Sequence, residues 1–127
     1  TSGEVTFFNS AHQSMGHSLY ENGLPNKTVV KTISLAEILE SNHIERVDFL
    51  KIDAEGAEYS ILLNTPPKVL QKFNKIFVEY HDYLNHGHSY QDIENHLRSN
   101  GFEVELGANI FQRKMLKLGF LKAIRKI

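Results

Sequence analysis

Residues 47–59 read VDFLKIDAEGAEY. An apolar run, VDFLKI, ends on Asp53, and Glu55 and Glu58 follow on either side of Gly56. A near-continuous apolar run predicts a strand buried on both faces of a parallel sheet. Such a strand has no use for carboxylates at its tip, but a site does. In open α/β sheets, ligands bind beyond the carboxyl ends of the strands, so chemistry is expected just past Ile52.

Further along the chain, IFVEYH (76–81) is a second buried-strand candidate, with Glu79 and His81 at its tip and Asp82 and His86 beyond. If the two strands are neighbours, Asp53, Glu55, Glu79 and His81 surround one crevice. Crowded carboxylates raise one another's pKa and can supply a general base near neutral pH. Oxygen and imidazole ligands also suit Mg, Mn or Zn. Asp53, Glu79 and His81 are the candidate catalytic set, and no metal is assigned. Plainer readings cover several neighbours. The macrodipole alone favours Glu58 in a first helical turn. Gly56 permits a tight strand-to-helix turn, and Lys51 snorkels outward. The other histidines (His12, His17, His43, His86, His88 and His96) show no ligand spacing such as HExxH and read mostly as surface or loop residues.

The flanking segments read as alternating elements. Val5 to Phe8 is a short strand, and residues 10–27 form a long surface loop rich in Ser, Gly, Asn and His. TVVKTIS (28–34) alternates as a strand does. Ser34 and Glu37 make a capping box that opens a helix over roughly 35–42. After Asp53, Ala57, Ile61 and Leu62 recur at helical spacing until Pro66-Pro67. Ser89 to Asp92 opens another helix, with Ile93, His96 and Leu97 on one face and Asn100-Gly101 at its end. FEVEL (102–106) and FLKAIRK (120–126) have no helix between them and are expected to pair as an antiparallel edge hairpin. The fold class is therefore α/β with a mostly parallel sheet.

Composition narrows the function classes. The chain has 127 residues, a net charge of −1 and no cysteine. It is one domain at most, with no global field that would recruit nucleic acid or membrane. No transmembrane run or signal peptide is present in the sequence, and the absence of cysteine fits a reducing compartment, so the expected location is cytoplasmic. The six Lys and Arg after residue 112 are read as guards on an edge strand.

VDFLKIDAEGAEYSILL resembles the hallmark segment of FkbM-type S-adenosylmethionine-dependent methyltransferases. TISLAEIL resembles the helix start before it, IFVEYH the next family strand, and SMGHSL the Ser-rich upstream loop. The resemblance runs from about Gly3 to Leu106, and the KIDAEGAE core is its most specific part. It implies a class I methyltransferase (Rossmann-like) sheet with VDFLKI as the fourth strand and IFVEYH as the fifth. FEVEL and FLKAIRK are then the C-terminal antiparallel pair. It also implies that Asp53 faces the transferring methyl group and a hydroxyl of a sugar, polyketide or lipid-type acceptor.

One departure bears on the cofactor. The family holds S-adenosylmethionine on an earlier strand, a glycine-rich turn and an acidic ribose-binding residue, and none of these is in the sequence. Asp53 and Glu55 are the nearest cofactor-binding candidates. The expectation is one partial domain over 1–127, the carboxyl-terminal half of a methyltransferase domain, with a strand and loop (1–27) and an α/β core (28–127). Its VDFLKI edge, uncovered, is expected to be covered by a homodimer partner or by a strand from the long N-terminal segment. A non-catalytic α/β assembly or binding module is the alternative. A carboxylate–histidine metal site acting by itself is a third reading.

Overall fold

The computed structural model describes residues 3–9, 26–84, 87–107 and 115–126. Ten elements follow in order. They are β1 (Gly3–Asn9), β2 (Asn26–Thr32), α1 (Leu35–Ser41), β3 (Leu50–Ile52), α2 (Glu58–Leu63), α3 (Pro67–Leu70), β4 (Lys75–His81), α4 (Tyr90–Ser99), β5 (Phe102–Gly107) and β6 (Leu118–Arg125). The expected order of strands and helices is present, with α3 added. The expected loop over residues 10–27 lies almost wholly outside the described residues. Among the described residues, no helix is long and apolar enough to cross a membrane.

Both expected helix caps are formed. The Ser34 hydroxyl accepts from the Glu37 N–H at 3.2 Å, and Glu37 Oε2 accepts from the Ser34 N–H at 3.3 Å. At the start of α4 the Asp92 carboxylate accepts from the Ser89 N–H at 2.8 Å, while the Asp92 N–H bonds the Ser89 carbonyl at 3.0 Å. Such caps satisfy backbone donors that a helix start leaves without partners. Asn100 caps α4, and Gly101 follows it at φ 87. The Pro-Pro dipeptide acts differently from expectation. α2 has already ended at Leu63, and Pro67, whose fixed φ suits a first helical position, starts α3.

β1 and β2 form a two-stranded antiparallel sheet of their own. The other four strands lie in the order β3-β4-β6-β5. The FkbM resemblance implies a sheet ordered 3-2-1-4-5-7-6, and with VDFLKI fourth and IFVEYH fifth its last four strands take this neighbour order. The expectation of a mostly parallel sheet needs correction, because the sheet is mixed. β3 and β4 pair parallel, while β6 pairs antiparallel with both β4 and β5. Helical crossovers keep β3, β4 and β5 running the same way. β6 then inserts, reversed, between β4 and β5, so two of the three neighbouring pairs become antiparallel.

VDFLKI is also less strand-like than its composition suggests. Only Leu50–Ile52 pairs continuously with β4, and Val47 makes a separate bridge to Phe73. Asp48 accepts a bond from the Asn74 side chain at 2.9 Å, and Phe49 is 58% exposed. Ile52 is buried, whereas Lys51 points outward and pairs with Asp53 at 3.6 Å. The outward reading of Lys51 therefore stands.

The core lies on one face of the mixed sheet. Ile76, Val78 and Tyr80 alternate along β4 and are buried with Tyr59 and Leu62 of α2 and Ile93 and Leu97 of α4. Burial of each such aliphatic side chain contributes about 1.5–3 kcal/mol. The same alternation turns Phe77, Glu79 and His81 to the opposite face. There Phe77 stacks on Phe120 of β6 at 5.3 Å. This division of β4 positions the site.

Candidate functional site

The parallel register decides which side chains meet. Ile52 lies opposite Val78, so one further step sets Asp53 across from Glu79. Both residues are on the face that carries His81. Asp53, Glu79 and His81 each offer a ligating atom, and these atoms lie within 4.8 Å of one another. Asp53 is exposed, Glu79 half-buried and His81 4% exposed. The cluster therefore opens to solvent on the Asp53 side and closes on the imidazole side.

The turn between β3 and α2 supplies the other acids. Glu55 adopts φ 46 and Gly56 φ 98, so the chain passes through two left-handed residues in succession. The first costs strain because Glu has a Cβ, while the second is why a glycine stands there. This geometry brings Glu55 Oε2 to 3.8 Å from His81 Nε2. It also turns Glu58 inward.

Glu58 is the residue the sequence reading underrated. It is fully buried. Its Oε2 accepts the Gly56 N–H at 2.8 Å. Its Oε1 accepts the His81 backbone N–H at 2.8 Å and lies 3.1 Å from His81 Nδ1. A buried carboxylate is tolerated when donors surround it in this way. Glu58 thus ties the strand-to-helix turn to the end of β4 and sets the plane of the His81 ring. A first-turn macrodipole does not account for that burial. The available signal was a glycine turn two residues before an acid, and it does not reveal which strand end the acid will reach.

A second polar bolt lies beside the first. The Tyr59 hydroxyl donates to Asp82 Oδ1, which also accepts the Tyr90 N–H at 2.8 Å. Asp82 therefore fastens α4 to α2 and is not part of the open cluster. Tyr83 meets His81 edge-on at 6.0 Å. Of the remaining histidines, His43 and His88 are exposed, and His96 is half-buried on α4. His12, His17 and His86 lie outside the described residues.

The electrostatics follow from this packing. Burial, and then the charge of Asp53, raises the Glu79 carboxyl above its ordinary range, against the opposing pull of His81 and Lys51. Burial alone would lower the His81 imidazole. The Glu58 bond and the charges of Glu58, Glu55 and Glu79 outweigh it, so the imidazole holds its proton more tightly than usual. Burial also raises the Asp82 carboxyl, although the bonds from Tyr59 and Tyr90 work against it. A proton released at the cluster would find in Glu79 an acceptor with raised affinity for it.

The Methyltransferase FkbM domain family matches residues 2–104. The chain belongs to the FkbM methyltransferase family. No curated protein and no solved structure matches it. Membership makes it a methyltransferase in general terms and implies the methyltransferase fold that the strand order suggested.

Methyltransferases of this family generally take the methyl group from S-adenosylmethionine. That molecule has a cationic sulfonium, a carboxylate and a ribose. The acids around Asp53 suit the sulfonium. The carboxylate end does not fit the turn after β3. The glycine turn after β3 adjoins the cluster, but its Gly56 N–H is already given to Glu58. Asp53 and Glu55 flank that turn and would repel an anion. As cofactor-binding candidates, Asp53 and Glu55 are compatible with the positive end alone.

Proposed function

We propose that this FkbM domain forms the acceptor side of an S-adenosylmethionine-dependent O-methyltransferase acting on a hydroxyl of a sugar, polyketide or lipid-type molecule. The observation that supports this most is the convergence of Asp53, Glu79 and His81 at the tips of two adjacent parallel strands. Methylation of a hydroxyl removes its proton. Asp53, open to solvent, receives and orients the hydroxyl. Glu79, with its raised affinity for protons, and His81, held by Glu58, provide the basic surroundings in which that proton leaves.

In this reading the anionic end of the cofactor is held by residues other than those described, and this chain by itself retains the cofactor poorly and is inactive. The commitment of the Gly56 N–H to Glu58 also supports the second reading, a non-catalytic α/β module for assembly or binding. Two-dimensional NMR separates the two. The chain is titrated with simple monosaccharides and hydroxylated fatty acids. Shifts confined to Asp53, Glu79, His81 and their neighbours are expected from an acceptor site. If no member of either class perturbs them, the catalytic reading loses its support.

The open edge of β3 belongs to the same proposal. Among the described residues β3 pairs on one side, with β4. An uncovered edge recruits a partner strand. A homodimer through this edge covers it and shields the exposed Phe49.

A further inference from the structure

We propose that Asp53, Glu79 and His81 form a binding site for one divalent transition-metal cation, of the Mn2+ or Zn2+ type. Three ligands of types that suit such ions are within 4.8 Å of one another: an exposed carboxylate, a half-buried carboxylate and an imidazole. Ligands at about 2.1 Å from a common ion lie roughly 3–4 Å apart, so closure requires only small side-chain rotations. Asp53 is solvent-exposed and free to make them.

A cluster of acids alone would not carry this proposal, since exposed carboxylates often gather without an ion. The independent observation is His81. Its ring is 4% exposed, and Nδ1 is engaged by the buried Glu58 at 3.1 Å. Nε2 has no hydrogen-bond partner among the described residues, and Glu55 Oε2, at 3.8 Å, is beyond bonding distance. A histidine ligand typically donates its other ring N–H to a carboxylate, which fixes the tautomer and aims the lone pair. Glu58 stands in that relation to His81, and a second bond from the His81 backbone N–H holds it there.

The geometry also supplies what surrounds an ion. Glu55 Oε2 is the next oxygen within reach. Lys51 pairs with Asp53 at 3.6 Å, but both side chains are exposed and the contact is weak. Its long stem lets the ammonium swing away as a cation arrives. The Asp53 side remains open, which leaves room for water or a hydroxyl in the remaining coordination positions. Use of the ion in methyl transfer rests on the function proposed above, where it would lower the pKa of the acceptor hydroxyl as a Lewis acid. Binding of the ion does not rest on it.

The test titrates the chain with Mn2+ alone at mildly alkaline pH and reads the free-ion signal by electron paramagnetic resonance. One ion per chain is expected. Asp53→Asn and Glu79→Gln keep side-chain volume at positions outside the core, and each is expected to weaken binding by at least about tenfold. Glu58→Gln acts through His81 and is expected to weaken it by about 10–100-fold. The Glu103→Gln control, on the exposed side of β5, leaves it unchanged. No binding at millimolar Mn2+ to a chain whose circular dichroism is native overturns the proposal. So does binding that survives the Asp53→Asn, Glu79→Gln double variant. Neither result depends on a methyl acceptor or on the cofactor.

Discussion

Glu58 Oε1 lies 2.8 Å from the backbone nitrogen of His81 and 3.1 Å from its Nδ1, so one buried oxygen holds both the end of β4 and the ring at its tip. The other oxygen of the same carboxylate holds the Gly56 N–H. The turn after β3 and the tip of β4 are therefore one mechanical unit. Glu58→Gln replaces an acceptor with an amide that faces donors. It is expected to cost about 2–3 kcal/mol, the usual penalty for leaving a buried donor without a partner. Urea unfolding checks this, with a lower midpoint and an unchanged slope as the expected result.

The Tyr59 hydroxyl bonded to Asp82 makes a separate prediction. Tyr59→Phe keeps the ring and removes one bond to a carboxylate that would otherwise hold only the Tyr90 N–H. The expected loss is about 2 kcal/mol. Because the Tyr59 bond pulls the Asp82 carboxyl down, its removal lets burial raise that carboxyl further. Carbon-detected NMR titration of Asp82 in both proteins reads this shift directly.

Gly56 is buried at φ 98, a conformation that residues with a Cβ avoid. Gly56→Ala is expected to destabilise by about 1–2 kcal/mol. Gly87 is exposed with open space around it, and Gly87→Ala is expected to change stability by less than about 0.5 kcal/mol. Equal effects at the two positions would mean that the turn is not held as described.

The β3 edge predicts self-association. Light scattering is expected to give the mass of a dimer, with the amides of Leu50–Ile52 slow to exchange on both sides of the strand. A monomer whose β3 amides on the outer side exchange rapidly would rule the dimer out.

Much of this arrangement was legible in the sequence because its causes are local. Ser34 with Glu37 and Ser89 with Asp92 announce helix starts through bonds spanning three residues. The polar tips of VDFLKI and IFVEYH announce a shared crevice, because strand ends in α/β sheets collect at one side. The mixed pairing was not legible from the residue pattern; only the family resemblance implied the strand order. Whether β6 adds outside β5 or inserts beside β4 depends on contacts between residues such as Val78 and Leu121, far apart in the chain. Glu58 was misread for the same reason. Its donors come from a turn next to it and from a strand end 23 residues away, and only the second makes its burial understandable. β3 is short because its pairing is interrupted between Val47, which bridges Phe73, and Leu50, where the ladder with β4 begins.

The function proposed above has this FkbM domain presenting the acceptor side of a methyltransferase site, with the cofactor's anionic end held by other residues. Calorimetric titration of the folded chain with S-adenosylhomocysteine, which retains the carboxylate and ribose, tests it most directly. No detectable heat is expected. Stoichiometric micromolar binding would contradict it, and the anchor would then have to be found within these 127 residues.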